Sequence, residues 1–389
     1  MQTNKVGVVG AGAMGAGIAQ IASQAGHQVI LYDLSLTTLD ESASKLAKVM
    51  ARLVEKKRIT LEESIEIQGR IVRSTQIDLF ADCDLVVEAV VENLAVKHSV
   101  FKQIENIVSS DCIVASNTSS LSITSLAAGC NHPERVLGLH FFNPAPLMPL
   151  VEIVPAIQTS VELPLHLISL MKDWGKSPVI AKDTPGFIVN RVARPFYGEA
   201  LRILDEGIAD VPTIDTVMSN LGFKMGPFQL MDLIGHDVNY AVTESVFKSF
   251  YCDPRFMPSI TQLKLVEAGW LGRKAGRGFY NYPDNSTDRA TNVEIDSDTE
   301  VLIAERIIAM LINEAADAVY YGIASPEDVD IAMQKGVNYP KGLLVWADEW
   351  GAEKVVKIID SLKDEYGETR YRCSTLLRKQ AREGGRFYS

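Results

Sequence analysis

Val6-Gly7-Val8-Val9 is an apolar run that passes directly into Gly10-Ala11-Gly12-Ala13-Met14-Gly15. A strand, a G-x-G-x-x-G turn and a helix in that order bring backbone N–H groups and the positive end of a helix dipole to one place, which suits a pyrophosphate. Gly10 permits the tight turn, Gly12 lets the backbone approach the phosphates, and Gly15 lets the helix pack close to the sheet. Asp33 stands at the end of the next apolar run, Gln28–Tyr32, where a carboxylate accepts hydrogen bonds from an adenine ribose. Its charge repels a 2′-phosphate, so NAD is expected rather than NADP. Four further polar residues lie at or just past the ends of apolar runs: Ser119, His140, Glu152 and Asn190. Strand ends are where open α/β sheets bind ligands. Taken singly, Ser119 could cap a helix, Asn190 could satisfy a helix end, and His140 could be a hydrogen-bonded core histidine. Glu152, between Val151 and Ile153, needs a partner if that run is buried, and His140 is the natural candidate.

The elements that must position these residues follow from the hydrophobic pattern. Strands are expected at Lys5–Val9, Gln28–Tyr32, Leu85–Ala89, Ile113–Ser116, Val136–Phe141, Val151–Val154 and Val179–Ala181, with amphipathic stretches such as Leu39–Lys57 and Leu94–Val108 between the early ones. That alternation predicts a parallel, doubly wound sheet of the Rossmann type over residues 1–183. From Thr184 the pattern turns helical, with Pro185-Gly186 at the joint and the proline at a helix start. A polar stretch, Pro283–Asp298, reads as a linker. The helical block on either side of it repeats. "RVARPFYGEALRILDEGIADVPTIDTVM", "GPFQLMDLIG" and "RKAGRGFY" are followed by "RIIAMLINEAADAVYYGIASPEDVDIAM", "KGLLVWADEWG" and "REGGRFY". Glu199 and Glu314 fall at the same offset from Arg191 and Arg306. The expected architecture is an α/β dinucleotide-binding domain followed by an all-α domain in two tandem copies, 184–282 and 299–389.

The strings "VGVVGAGAMGAGIAQ", "DLVVEAVVENLAVK", "ASNTSSL", "GLHFFNPAPLMPLVEIV", "DTPGFIVNR", "GPFQLMDLIG" and "RKAGRGFY" together resemble the 3-hydroxyacyl-CoA dehydrogenase family. The resemblance runs to about Tyr282, and the repeat continues it to Tyr388. It implies reversible, NAD-dependent oxidation of (3S)-3-hydroxyacyl-CoA to 3-oxoacyl-CoA. His140 would act as general base toward the C3 hydroxyl, a task suited to histidine as a residue type. Glu152 would orient the imidazole and stabilise its protonated form. Ser119 and Asn190 would position substrate oxygens. Residues matching Glu92, Lys97, Asn143 and Lys274 contact NAD in the family, Ser119 touches both ligands, and Asn117 belongs with the cofactor-binding set, as do Ala11, Ala13 and Met14 of the turn. The CoA moiety needs cations, and Arg52, Lys56, Lys57 and Arg58 cluster at one helix end, where a solvated basic face is the competing reading.

In the second helical copy Glu305 stands where Asn190 would, and no nucleotide-binding segment accompanies it. The second copy is therefore expected to be structural, closing an internal pseudo-dimer, with further self-association open. Pathways that would use the enzyme are fatty-acid β-oxidation, butanoyl-CoA metabolism and aromatic-acid breakdown through 3-hydroxyadipyl-CoA. Two other readings compete: a non-catalytic NADH-binding protein on the same fold, and a hydroxyacid dehydrogenase with a catalytic lysine. Neither gives His140 and Glu152 a role. FAD shares the glycine fingerprint, but the polar residues point to nicotinamide. The formal charge of −11 disfavours nucleic-acid binding. The five scattered cysteines argue against a disulfide framework or a metal site and suit a reducing cytoplasm. Apolar runs end well before the roughly 18 residues of a spanning helix, and a secretory leader is not expected.

Overall fold

Short runs rich in valine and isoleucine become the strands of one sheet: β1 (Lys5–Val9), β2 (Gln28–Tyr32), β3 (Ile71–Ser74), β4 (Leu85–Glu88), β5 (Ile113–Ser116), β6 (Val136–Phe141), β7 (Leu150–Pro155) and β8 (Ser177–Ile180). The computed structural model describes residues 3–283 and 294–388. Residues Met1–Phe187 form one compact unit and Ile188–Ser389 a second.

In the first unit the strand order is β3-β2-β1-β4-β5-β6-β7-β8. Helices α1 (Ala13–Gln24), α2 (Leu36–Glu55), α3 (Leu61–Gly69), α4 (Leu94–Glu105), α5 (Ile123–Ala127) and α6 (Leu163–Asp173) connect them. The central strands β4, β5 and β6 are buried throughout, as covered parallel sheets are. Three features differ from the sequence expectation. Strand β3 extends the sheet at an edge; four residues with one charge give too short a pattern to read. More important for the site, β7 runs antiparallel to β6, placing His140 opposite Glu152 in the ladder, while β8 is again parallel to β7. Pro185 lies in a turn and not at a helix start, since the next helix begins at Val189.

The second unit contains α7 (Val189–Val192), α8 (Arg194–Asp205), α9 (Val211–Asn220), α10 (Pro227–Ile234), α11 (His236–Ser249), α12 (Ile260–Glu267), α13 (Ser297–Tyr320), α14 (Pro326–Gly336), α15 (Leu343–Trp350), α16 (Ala352–Tyr366) and α17 (Thr375–Glu383). Of the stretch read as a linker, residues 284–293 lie outside the described residues, and Ser297 and Asp298 open α13. Helix α13 is buried almost all round from Arg306 to Ala318. Its charged residues are paired: Arg306 Nε lies 2.9 Å from Glu199, and Glu314 lies 2.5 Å from Arg191 Nε and 2.7 Å from Arg255. Carboxylates also close the loops in matching ways. Asp215 accepts the N–H groups of Phe228 and Gln229, as Asp330 accepts those of Leu344 and Val345. Asp232 accepts those of Phe279 and Tyr280, as Asp348 accepts those of Phe387 and Tyr388. No helix among the described residues is long and apolar enough to cross a membrane.

Glu314 is wholly buried. Burial opposes its ionisation, but the Arg191 and Arg255 guanidiniums hold its carboxyl below the usual range. Breaking a buried pair leaves an uncompensated charge. Glu314→Ala is expected to cost about 3 kcal/mol or more, read from urea unfolding midpoints. A loss below about 1 kcal/mol, the level of a surface pair, would show that the cluster does not hold the helices together.

Candidate active site

The glycine turn follows β1. Gly10 has φ +96°, and a Cβ there would lie 2.7 Å from the Ala89 carbonyl oxygen. A Cβ on Gly15 would lie 1.8 Å from the Gly10 oxygen, so α1 packs on the turn only because that atom is missing. At Gly12 the space a side chain would take is open to 4 Å. Ala13 and Met14 begin α1, whose first N–H groups point out of the helix start. Asp33 Oδ2 accepts from Ala11 N–H at 2.8 Å, and Oδ1 from Ser35 N–H at 2.9 Å. The acid thereby ties the end of β2 to the turn. A cleft of about 550 Å³ runs past Gly10, Gly12 and Asp33, with Leu34 and Val91 among its walls. Both are large apolar side chains left exposed, at 85% and 68%. Open space before Gly12, a helix start and an acid beside apolar walls together fit a dinucleotide.

His140 and Glu152 face each other across the β6–β7 ladder. His140 Nδ1 lies 2.7 Å from Glu152 Oε2, and the two residues are 5% and 0% exposed. Opposed residues in a ladder share a face, so this contact is set by backbone register. The imidazole also lies 4.5 Å from the Phe142 ring and 5.8 Å from Phe187, centre to centre. With Nδ1 engaged by the carboxylate, Nε2 is the nitrogen left for exchange with another group.

Ser119 lies in the loop after β5, held by a carboxylate. Glu92 Oε1 accepts the N–H groups of Ser119 (3.0 Å) and Ser120 (3.2 Å) and the hydroxyls of Thr118 (2.6 Å) and Ser120 (2.9 Å). Its other oxygen lies 3.3 Å from Lys97 Nζ. Lys97 is buried and lies 2.6 Å from Glu88, which also accepts from the Ser116 hydroxyl and Val90 N–H. One ammonium thus serves two carboxylates that fix the ends of β4 and β5. Glu88 and Ser116 are absent from the residues expected above. The signal was the same as at Glu152, an acid among valines in a buried strand. Asn117 Oδ1 accepts Phe141 N–H at 2.8 Å, joining the loop to the strand that carries His140. Asn143 is exposed and precedes a cis peptide to Pro144. The segment after it is held by Lys176, whose Nζ donates to the carbonyls of Ala145 (2.6 Å) and Met148 (2.9 Å). Burial pushes the Lys176 ammonium down to about 8.

Arg52, Lys56, Lys57 and Arg58 are exposed at the C-terminal end of α2 and beyond it. Asn190, on α7, and Lys274 belong to the second unit, where Lys274 Nζ lies 2.6 Å from Asp237. Burial opposes ionisation of Glu92, but the Thr118 hydroxyl, Lys97 and the serines hold its carboxyl below the usual range. A depressed carboxyl contributes stability that is present above its unfolded pKa and lost as pH falls through the folded one. Glu92→Gln is therefore expected to be less stable than wild type at pH 7, by about 0.5–1 kcal/mol once solvent screening at this partly exposed carboxyl is allowed for. The gap should narrow as the pH is lowered toward 4. A gap of constant size in chemical unfolding at both pH values would show that the charge of Glu92 does not matter.

Comparison with known proteins agrees with this geometry. The sequence model of the 3-hydroxyacyl-CoA dehydrogenase NAD binding domain matches residues 5–184. That of the 3-hydroxyacyl-CoA dehydrogenase C-terminal domain matches 186–282 and 302–386. The chain is 37% identical to the 3-hydroxyadipyl-CoA dehydrogenase of Escherichia coli K12, with 97% of each covered. It is 42% identical to a probable 3-hydroxybutyryl-CoA dehydrogenase of Deinococcus radiodurans, over 72% of this chain and all of that one. The solved structure of a 3-hydroxybutyryl-CoA dehydrogenase from Escherichia coli K12 superposes with a TM-score of 0.93 at 36% identity, covering 98% of this chain and 99% of that one. The chain, an NAD-binding Rossmann-like sheet followed by a helical domain, belongs to the 3-hydroxyacyl-CoA dehydrogenase family.

Proposed function

We propose that the chain oxidises (3S)-3-hydroxyacyl-CoA reversibly to 3-oxoacyl-CoA, with His140 as the general base. The observation that carries this reading is the 2.7 Å contact between His140 Nδ1 and Glu152 in a buried ladder. Glu152 holds the Nδ1 proton, so Nε2 takes the proton from the C3 hydroxyl as the C–H bond at C3 breaks. Glu152 then stabilises the imidazolium, and in the reverse direction His140 returns the proton to the ketone oxygen. Bound along the cleft at Gly10, Gly12 and Asp33, NAD supplies the acceptor for the hydride. Ser119, on the loop fixed by Glu92, and Asn190 position substrate oxygens. Glu92, Lys97, Asn117, Asn143 and Lys274 serve the cofactor directly or through the loops they hold; Lys97, being buried, acts by fixing Glu88 and Glu92. Arg52, Lys56 and Lys57 offer cations to the CoA phosphates. Simple NADH binding would not require the histidine–carboxylate pair. The relatives' names support short or dicarboxylic acyl groups, and unpaired cysteines favour the cytoplasm.

The second helical segment reads as a structural copy of the first. Arg191 pairs with Glu314 and Arg306 with Glu199, and those residues hold matching places in the two repeats. Reciprocal contacts of this kind are the signature of a two-fold interface, here within one chain. Glu305, at the place of Asn190, is paired with Lys354 at 2.7 Å.

Following NADH absorbance with acetoacetyl-CoA should show turnover by wild type. His140→Ala should lower kcat by about 10²–10⁴-fold, while NADH affinity stays within a few-fold. No turnover on any 3-oxoacyl-CoA would overturn the function, and undiminished turnover by the variant would overturn the mechanism. Deleting the residues after about Asp298 should expose apolar surface and give aggregates or a dimer through the first copy. A monomeric, fully active truncation would contradict the internal pseudo-dimer.

A further inference from the structure

Arg194, the first residue of α8, is 7% exposed. One of its terminal nitrogens donates to Thr243 Oγ1 at 3.0 Å, and its guanidinium carbon lies 5.0 Å from the centre of the Tyr197 ring. Its Nε meets no acceptor among the described residues. The titratable groups that act on it are Tyr197 and Tyr339, and burial keeps both phenols protonated, so neither supplies a negative charge. Tyr339 is 5% exposed, and its hydroxyl also lacks a partner among the described residues. A guanidinium does not lose its proton inside a protein. Buried charges are therefore paired, as Arg255 nearby is paired with Glu314 and Asp317.

Arg194 lines a small cavity with Tyr197, Thr243, Arg255, Ser259 and Gln262. Its free space, about 10 Å³, is that of a single small particle. Two N–H groups of its lining residues, Arg194 Nε and Arg255 Nε, meet no acceptor among the described residues. In the second repeat the matching position is Ala309, counted as Arg191 matches Arg306 and Glu199 matches Glu314. The helical scaffold therefore does not require the guanidinium.

We propose that Arg194 and its neighbours form a binding site for one compact monovalent anion inside the first helical segment. The Arg194 guanidinium supplies the counter-charge, and its Nε–H and that of Arg255 are the donors left without an acceptor among the described residues. Two sources provide such an anion. One is a halide from solution, which the size of the cavity favours. The other is the free carboxylate of a dicarboxylic acyl thioester. The second source rests on the function proposed above; the site itself does not.

Thermal unfolding of the full chain in sodium gluconate, with chloride, bromide or acetate replacing gluconate at constant ionic strength, tests the site without any assay of activity. The wild-type midpoint should rise saturably by a few degrees, as for any ligand of the folded state. Arg194→Met should retain its circular dichroism spectrum and lose that response. In parallel, kcat/KM is compared for 3-hydroxyadipyl-CoA and 3-hydroxybutyryl-CoA. A fall of at least tenfold in the adipyl-to-butyryl ratio in Arg194→Met assigns the site to the substrate carboxylate. Loss of the halide response with an unchanged ratio assigns it to the solution anion. An anion response that survives in Arg194→Met, or no response to any anion together with an unchanged ratio, overturns the proposal. A chain inactive on both thioesters would refute the enzymatic reading and leave the thermal result to decide the site.

Discussion

The contact on which the active site depends is the hydrogen bond between His140 and Glu152. The two residues are twelve apart in sequence and directly opposite in the sheet. That requires β7 to turn back on β6. In an all-parallel sheet the next strand arrives after a long crossover, and an acid so close in sequence could not sit across from the histidine. The single antiparallel step thus turns a cofactor-binding sheet into one that also holds an oriented imidazole. Both residues are buried, so their mutual orientation is not shared with bulk water, and the carboxylate can favour one tautomer strongly.

The remaining polar groups of the first unit serve the same end by the same means. Lys97 is buried among carboxylates whose oxygens fix the loop bearing Ser119 and the end of β4. Asn117 ties that loop to the backbone of β6 next to His140. Burying an ammonium is costly, and the network is acceptable because each charge is met. The helical unit uses paired charges as well: Arg191 meets Glu314 and Arg306 meets Glu199, both pairs buried, and the proposed duplication would make them counterparts of each other.

Much of this was legible in the sequence. The glycine turn, Asp33 and most strands follow from apolar runs and their punctuation, and Glu152 is conspicuous because an acid between β-branched residues must find a partner. Strand direction was not legible, because the two-residue period of a strand is the same in either orientation. Strand β3 was too short to stand out. Lys97 was expected through the family resemblance to contact the cofactor; its burial follows from the helix face it shares with Phe101 and Ile104, a spacing that identifies the core side. The lack of an acceptor for Arg194 Nε among the described residues could not be read at all, because it depends on which side chains the fold brings around it.

In the proposed mechanism Glu152 holds the proton on Nδ1 of His140 and leaves Nε2 free to accept one. Nitrogen-15 NMR of imidazole-labelled protein at a pH where His140 is neutral reports this directly. A protonated-type shift is expected at Nδ1 and an unprotonated-type shift at Nε2, with the pattern reversed or mixed in Glu152→Gln. A proton on Nε2 in the wild type, or a pattern unchanged by Glu152→Gln, would contradict it.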